Sequence, residues 1–364
     1  MFEITGIEQK RCWDELIMPP VEKVRPGLWS IPVPIPDSPL RYVLVYALEL
    51  AGDAGVAIVD AGWNTDEAWS ALNGGLNQAG FGIADVRAVL VTHIHPDHFG
   101  LAGRVRENSG AWVALHPADA AMIPSPGDDH LSALISTGQE TLNRSGIPPL
   151  DETEIAAAAA MMASGYAYFA APDVLLEDGD RPELPGWNLR AIWTPGHSPG
   201  HLCFADVDHG LVLTGDHVLP RITPNIASHP HSGPRPLANY LDSLAKISAL
   251  EQEFDVEEVL PAHEYRFRGL ADRAGTIAQH HYERLDEMVK LLVDQPGATS
   301  WELTSRMRWS RPWADIPTFM RRGATGETDA HLELLADAGR IRKVGDHPAR
   351  WFAGSASPPA VAAG

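Results

Sequence analysis

The apolar residues in the first half of the chain fall into short runs separated by one amphipathic stretch. The runs at residues 41–50, 55–62 and 85–93 are rich in β-branched and aromatic residues, which favours β-strands. Residues 65–78, between the second and third runs, have the spacing of a helix. The pattern therefore predicts two strands, a helix and a further strand.

The second half of the chain repeats this pattern. Apolar runs at residues 189–197, 201–217 and 256–264 predict strands, and a helix is expected near 239–251. In both halves, His and Asp residues lie just past the ends of apolar strands. Because strand ends meet at one edge of a sandwich of sheets, we expect residues far apart in sequence to share one site there.

Residues 118–171, between the two halves, form an atypical segment that predicts two helices. Asp151 would cap the second of them. The apolar residues proposed for the two helices are Leu131, Leu134, Ile135 and Leu142 in the first and Met161, Met162, Tyr166 and Phe169 in the second. The segment either packs on the domain or covers the substrate with an adaptable, Met-rich lining.

A small C-terminal unit follows a predicted helix over residues 270–293. We place the boundary between a domain at 1–295 and a unit at 296–364, where a Pro-Gly pair breaks the pattern. Helical stretches and a strand pair at 340–344 and 349–352 resemble a winged helix. Its nine Lys or Arg against seven Asp or Glu favour packing or formation of a homodimer over DNA binding.

Composition narrows the class of function. The formal net charge of -20 over 364 residues argues against a nucleic-acid-binding protein, because such binding depends on Lys and Arg. Cys12 and Cys203 do not suggest a disulfide framework. The first residues contain no long apolar run, so we expect a cytoplasmic protein without a membrane span.

The strongest chemical signal is the stretch THIHPDHFG at residues 92–100. His93 and His95 are two apart and can point the same way from an extended loop, whereas Asp97 and His98 follow the turn-favouring Pro96. Two pairs of ligands can thus face two adjacent metal positions. Imidazoles with a carboxylate suit Zn²⁺ and also accept Fe or Mn.

Further ligands are expected on downstream strand-end loops, and His197, Asp216 and His263 lie there. With these residues the chain resembles the metallo-β-lactamase-fold hydrolases, of the branch that includes glyoxalase II and related thioesterases. The resemblance extends from about Val24 to Arg268. It is carried by Asp60 in VDAG, His93, His95, Asp97 and His98 in THIHPDH, His197 in TPGH, Asp216 in TGDH and His263 in PAHE.

The resemblance implies an α/β fold, the four-layer αββα sandwich, here with a helical insertion and the C-terminal winged-helix-like unit. It also implies two Zn²⁺ ions, with Fe or Mn as alternatives, and a nucleophilic hydroxide held between them. Asp97 would accept and pass on a proton. In the implied roles, His93, His95 and His197 hold one ion, Asp97, His98 and His263 hold the second, Asp216 bridges them and Asp60 orients a ligand by hydrogen bonds.

Departures from relatives narrow the expected substrate. Asp216 stands where common β-lactamases would have Cys, and His95 where flavodiiron proteins would have Glu. Glyoxalase II shares His263, Glu264 and Tyr265, but residues 214–225 do not resemble its sequence. We therefore expect a small acyl substrate cleaved at a thioester, ester or lactone bond. A nuclease of this fold and a mononuclear-iron enzyme similar to persulfide dioxygenases remain alternatives.

Three residues outside the ligand set are candidates for substrate binding. Arg221 could meet a carboxylate or phosphate, although a surface ion pair explains it equally well. Tyr265 and Tyr166 could donate a hydrogen bond to an oxyanion, or belong to the core. We expect His201 to make supporting hydrogen bonds and His116 to cap the helix that follows it.

Overall fold

Two β-sheets form the centre of the computed structural model, which describes residues 1–123, 130–149 and 170–354. A separate two-stranded hairpin lies near the C-terminus. In chain order the described strands are β1 Glu3–Ile4, β2 Glu22–Arg25, β3 Leu28–Pro34, β4 Tyr42–Glu49, β5 Val56–Val59, β6 Val86–Leu90, β7 Trp112–Leu115, β8 Val174–Leu175, β9 Leu189–Trp193, β10 Leu202–Asp206, β11 Leu211–Gly215, β12 Glu258–Pro261, β13 Phe267–Arg268, β14 Ile341–Val344 and β15 Arg350–Ala353.

Each sheet corresponds to one half of the predicted pattern. The first sheet has the order β2-β3-β4-β5-β6-β7-β8, and the second has the order β1-β13-β12-β11-β10-β9. Strands β5 to β8 run parallel, as do β11 and β12. The carboxyl ends of parallel neighbours therefore reach the same edge of their sheet.

The two sheets pack face to face through apolar side chains that alternate along the strands. Burial of these side chains away from water is the main contribution to the sandwich. The layer between the sheets includes Leu28, Tyr42, Leu44, Tyr46, Leu48, Val59 and Leu90 from the first sheet and Leu189, Leu202, Phe204, Leu211, Leu213 and Leu260 from the second.

Helices cover the outer faces of both sheets. In the described part of the chain they are α1 Ile7–Asp14, α2 Asp66–Ala79, α3 Pro96–Phe99, α4 Ala102–Ser109, α5 Pro117–Ala120, α6 His130–Ser145, α7 Pro236–Ser248, α8 Leu250–Glu253, α9 Leu270–Asp294, α10 Ser300–Thr304 and α11 Thr318–Asp337. Short 3-10 turns lie at Ile83–Asp85 and Trp313–Asp315.

The outer layers complete the predicted αββα sandwich. Leu72 and Leu76 of α2 share an apolar cluster with Ile31 on the outer face of the first sheet. On the second sheet, Leu244 of α7 and Ile277 of α9 belong to another such cluster. The predicted four-layer fold is therefore confirmed.

The boundaries of the principal helices follow local signals. Helix α2 begins after Thr65, whose Oγ1 accepts a hydrogen bond from Ala68 N at 3.1 Å, and ends before Gly80 with φ 95°. Helix α7 begins at Pro236, three residues earlier than predicted, and ends at Ser248, where α8 follows shortly afterwards. Pro suits a first helical position because its missing N–H would have no partner there.

The C-terminal segment contains two helices and a hairpin, as predicted, and the longer helix, α11, starts at Thr318. Leu303, Leu332 and Trp351 belong to the apolar cluster that covers the second sheet. Asp329 of α11 accepts hydrogen bonds from the hydroxyls of Ser145 and Ser300. The segment thus packs on the second sheet and on the end of α6.

The insertion is described only in part. Helix α6 lies within the predicted segment 118–171, and the short α5 overlaps its first residues. The predicted second helix, with Asp151, Met161, Met162, Tyr166 and Phe169, lies outside the described residues. No helix in the described ranges combines the length and apolar composition needed to cross a membrane.

Candidate metal centre

The structure brings all seven predicted ligands together at the carboxyl ends of strands. The loop after β6 carries four of them, and β9, β11 and β12 are each followed by one. The two sheets are joined at this edge, where Leu202 N donates to Thr92 O at 2.7 Å. The seven residues are His93, His95, Asp97 and His98 after β6, His197 after β9, Asp216 after β11 and His263 after β12.

Three of these residues form one group, called here the three-histidine cluster: His93, His95 and His197. Their candidate ligand nitrogens all lie within 4.8 Å of one another. Nε2 of His93 is 2.8 Å from Nδ1 of His95, and the rings of His95 and His197 have centroids 4.6 Å apart. One cation could therefore contact all three imidazoles.

A second group, called here the Asp97 cluster, contains Asp97, His98 and His263. Its ligand atoms also lie within 4.8 Å of one another. Oδ2 of Asp97 is 3.7 Å from Nε2 of His98 and 3.5 Å from Nε2 of His263. Two imidazoles and one carboxylate thus surround a second position.

The carboxylate of Asp216 lies between the two clusters. Its Oδ2 is 3.4 Å from Nε2 of His197. Its Oδ1 is 3.6 Å from Nε2 of His98 and 3.2 Å from Nε2 of His263. One oxygen therefore faces each cluster, which is the geometry that a bridging ligand needs.

The donor set fits a divalent metal. Nε2 of His98, His197 and His263 and Oδ1 of Asp216 are buried and have no hydrogen-bond partner of acceptable geometry within the described residues. Leaving a buried polar atom unsatisfied costs about 1–3 kcal/mol, so four at one point require an explanation. Imidazole nitrogens and carboxylate oxygens are the ligands that Zn²⁺, Fe and Mn accept.

The far nitrogens of the imidazoles fix which atoms face the centre. Nδ1 of His263 lies 2.9 Å from the carbonyl of Tyr42, and Nδ1 of His197 lies 2.9 Å from that of Asn225. A carbonyl can only accept, so both Nδ1 atoms carry a proton, and in a neutral ring Nε2 is then the nitrogen with the free lone pair. Metal-binding histidines are commonly oriented in this way.

Asp60 orients the loop after β6. Its carboxylate accepts from Thr92 N at 2.8 Å and from Thr92 Oγ1 at 3.0 Å, and it lies 2.8 Å from Nδ1 of His98. Asp60 is buried and has φ 62°, a conformation that non-glycine residues rarely adopt. These contacts are those expected of the residue that orients His98.

The pKa values of the ligands separate the two clusters. Burial and the neighbouring imidazoles hold the pKa of His93 and His95 well below the usual range, so both are neutral at pH 7. Burial also opposes charge on His98, but Asp60, Asp97 and Asp216 outweigh it and raise its pKa. In the three-histidine cluster His93 and His95 are therefore neutral, whereas carboxylates pair with imidazoles in the Asp97 cluster.

Two further predicted residues make the supporting contacts expected of them. His201 is buried, and its Nε2 accepts from Asp216 N at 3.2 Å, which positions the bridging carboxylate. Nδ1 of His116 accepts from Ala118 N at 3.1 Å and caps α5.

The candidate substrate-binding residues have different surroundings. Arg221 forms an ion pair with the buried Glu264, with Nη2 to Oε1 at 2.6 Å, while its own side chain stays 53% exposed. Of the two roles expected for Arg221, the structure therefore shows the ion pair. Tyr265 is 3% exposed, and Tyr166 lies outside the described residues.

Sequence reasoning missed several residues that support the ligands. Tyr42 and Asn225 act through backbone carbonyls, which leave no signal in the sequence. Asp119 is a buried carboxylate that contacts two ligand loops. Its position could have been recognised in the sequence, because it follows β7 at the same edge of the sheet as the ligands.

A groove of about 210 Å³ lies beside the insertion. Its lining comes from α6 (Thr137, Glu140, Thr141 and Arg144) and from residues 228–230. Asn225, whose carbonyl contacts His197, is three residues before Ser228, a span of at most about 11 Å of extended chain. The groove therefore lies near the three-histidine cluster.

Comparisons with known proteins agree with the fold. The family model described as the metallo-beta-lactamase superfamily matches residues 39–294. The chain belongs to that superfamily.

Individual relatives give the same result. A metallo-beta-lactamase family protein from Thermus thermophilus is 30% identical and superimposes with a TM-score of 0.74, covering 91% of this chain and 100% of that one. The probable metallo-hydrolase YqjP of Bacillus subtilis (strain 168) is 28% identical over 241 residues, 64% of this chain and 70% of that protein. The lactamase-like protein adaB of Aspergillus niger is 26% identical over 212 residues, 55% of this chain. The match spans only 62% of the length of adaB.

Proposed function

We propose that this member of the superfamily is a hydrolase with two divalent ions, Zn²⁺ by preference, that cleaves a thioester, ester or lactone bond. The observation that carries the proposal is the position of Asp216, with one oxygen facing each of two adjacent clusters. The similarity to a protein named as a probable metallo-hydrolase supports the same class of reaction.

In this proposal each cluster has a defined role. His93, His95 and His197 hold one ion, Asp97, His98 and His263 hold the other, and Asp216 contacts both. When bound, two such ions lower the pKa of water towards neutrality, which makes hydroxide available at pH 7, and polarise the substrate carbonyl.

A carboxylate of the protein accepts the proton that the attacking water releases. The side chain of Asp97 is 14% exposed and that of Asp216 is 9% exposed, so Asp97 is the more accessible from the cleft. We assign to Asp97 the acceptance of a proton from the attacking water and its delivery to the leaving group. The backbone contacts of His197 and His263 keep their rings fixed during this transfer.

The groove beside α6 indicates the kind of acyl group. Thr137, Glu140, Thr141 and Arg144 line it, so the described part of the insertion presents polar rather than apolar side chains. Polar lining favours substrates whose remote part forms hydrogen bonds. We therefore propose a short or polar acyl group, and a small molecule rather than a nucleic acid, given the net charge of -20.

The test compares hydrolysis by the purified protein, by the protein after removal of metal with a chelator, and by the stripped protein after Zn²⁺ is restored. A panel of short-chain thioesters, esters and lactones is the substrate set. We expect activity towards at least one member, loss on stripping and recovery with Zn²⁺. Activity that survives complete stripping, or a fully loaded protein that cleaves none of the three bond types, contradicts the proposal.

The same preparation separates this function from the iron-dependent alternative. Oxygen consumption with a persulfide substrate, by protein that contains one iron per chain, would identify an oxygenase instead. Absence of such consumption leaves the hydrolase assignment in place.

A further inference from the structure

Asp119 is a buried acidic residue that belongs to neither metal cluster. It lies in α5, just after β7, and its exposed fraction is 0%. Burying a carboxylate is unfavourable unless hydrogen bonds or charges compensate for the lost water. Burial raises the pKa of Asp119 to about 6, which shows how unfavourable this position is for the anion.

The carboxylate of Asp119 accepts three hydrogen bonds, all from the two loops that carry the three-histidine cluster. Oδ2 accepts from Ile94 N at 2.9 Å and from Ser198 Oγ at 2.8 Å. Oδ1 accepts from Gly200 N at 2.6 Å. Ile94 stands between His93 and His95, and Ser198 follows His197.

These two loops come from different sheets. The loop with His93 and His95 follows β6 of the first sheet, whereas the loop with His197 follows β9 of the second. One carboxylate therefore joins the halves of the sandwich at the point where the three imidazoles meet. Asp119 makes direct hydrogen bonds to each of the two loops.

The approach of the second loop requires a glycine. A Cβ on Gly200 would lie 2.6 Å from Asp119 N and 2.7 Å from its Cγ, closer than real Cβ atoms come. Gly200 does not have a positive φ, so the requirement here is for space. The sequence thus provides a small residue where the loop must touch Asp119.

We propose that Asp119 is a positioning residue that fixes the distance between the His93–His95 loop and the His197 loop, so that the three imidazoles can hold one metal ion. Asp60 has the corresponding place at the Asp97 cluster, where it contacts Thr92 and His98. Each metal position would then depend on a buried aspartate that holds one of its ligand loops. Loss of such supporting contacts typically lowers metal affinity about 10–100-fold.

Asp329 offers a matched control. It is also buried, and burial raises its pKa to about 6 as well. It accepts hydrogen bonds from two serine hydroxyls, whereas Asp119 accepts from one serine hydroxyl and two backbone N–H groups. Its partners, Ser145 and Ser300, belong to α6 and α10 and not to a ligand loop. A variant at Asp329 therefore reports the effect of losing a buried carboxylate without touching the clusters.

The experiment measures Co²⁺ and Zn²⁺ affinity by chelator competition, together with the visible spectrum of bound Co²⁺. The background is His98→Ala, which weakens the Asp97 cluster and leaves the three-histidine cluster as the main site. In this background we expect Asp119→Asn to lower affinity about 10–100-fold and to change the Co²⁺ spectrum. Asp329→Asn should leave both within about threefold, whatever it does to the urea midpoint.

Ser198→Ala is a milder second variant, because it removes one of the three hydrogen bonds and leaves the backbone contacts. We expect a loss of affinity of about fivefold, equivalent to one hydrogen bond of about 1 kcal/mol. This variant is conservative enough to fold even if Asp119→Asn does not. Unchanged affinity in Ser198→Ala, when Asp119→Asn cannot be purified, counts against the proposal.

The role of Asp119 rests on the proposed metal centre, and the outcomes separate the two. An unaltered protein that binds no metal overturns both. An unaltered protein that binds metal, with equal affinity and spectrum in His98→Ala and in His98→Ala with Asp119→Asn, overturns only the role of Asp119. Equal losses in the Asp119 and Asp329 variants would show a general effect on folding and also refute it.

Discussion

The two metal clusters lie side by side but are built differently. The three-histidine cluster combines imidazoles from both sheets, of which His93 and His95 are neutral, and Asp119 joins its two loops by hydrogen bonds. The Asp97 cluster contains a carboxylate, and Asp60 holds its loop through Thr92 and His98. Asp216 is the residue with one oxygen facing each cluster.

One edge of the sandwich therefore provides two different sets of metal ligands. Neutral nitrogen donors suit Zn²⁺, whereas the added carboxylate makes the second position more favourable for harder cations. The clusters should therefore differ in affinity and in metal preference, although they share Asp216.

The largest effect is expected from Asp216→Asn. The amide can use only one oxygen and has lost the charge that faces both clusters, so metal binding at both positions should weaken. We expect hydrolysis to fall about 100-fold or more, with less metal per chain in a protein that stays folded. Metal analysis and the thioester assay measure this, and full activity in the variant refutes the shared role.

Removal of one imidazole from each cluster should separate the two positions. His197→Ala weakens the three-histidine cluster and His98→Ala weakens the Asp97 cluster, because His197 belongs to the first cluster and His98 to the second. We expect each variant to retain about one ion per chain, with different affinities for the ion that remains. Identical Zn²⁺ titration curves for the two variants would contradict the assignment of two distinct positions.

A supporting residue should have a smaller effect than a ligand. Asp60→Asn keeps the shape of the side chain but weakens its contacts with Thr92 and His98. Metal affinity at the Asp97 cluster should fall about 10–100-fold, and affinity at the three-histidine cluster should change less. Titration in the His197→Ala background, where the Asp97 cluster is the main site, provides the measurement. If the substitution leaves the metal affinity unchanged, Asp60 does not support the Asp97 cluster.

The smallest effect on metal binding is expected at Asp329, far along the chain from either cluster. Burial raises its pKa from 3.8 to about 6, so the folded protein holds this proton more tightly than the unfolded chain does. The stability that this gives is fully present below about pH 4 and is lost as the pH rises through about 6.

Asn at position 329 does not titrate. The free energy of unfolding of the unaltered protein, relative to that of Asp329→Asn, should therefore fall by about 2 kcal/mol between pH 4 and pH 7. Urea unfolding of the metal-free proteins at several pH values measures it. A difference that is independent of pH would show that Asp329 has an ordinary pKa.

The sequence was most informative where function restricts the residue type. Metal coordination requires His and Asp side chains, and these follow apolar strands at recognisable positions, so all seven candidate ligands could be named before the fold was known. Asp60 could be named as well. Asp119 could have been found by applying the same strand-end rule to β7, but the neighbouring His116 offered a local explanation as a helix cap.

Tertiary contacts explain the features that sequence could not predict. Helix α11 begins at Thr318, although residues 318–327 contain two glycines, which disfavour helices. A Cβ on one of them, Gly326, would lie 3.1 Å from Cβ of Ala227. The glycine thus permits close packing against the segment that supports His197, and this packing outweighs its low helix propensity.

The metal content of the protein tests directly whether the centre has two metal positions. Protein purified without added metal can be analysed by plasma mass spectrometry beside His98→Ala and the exposed-surface variant Asp173→Asn. We expect about two divalent ions per chain in the unaltered protein and in Asp173→Asn, and about one in His98→Ala. A single ion in all three proteins, or none even after incubation with Zn²⁺, would contradict a centre with two metal positions.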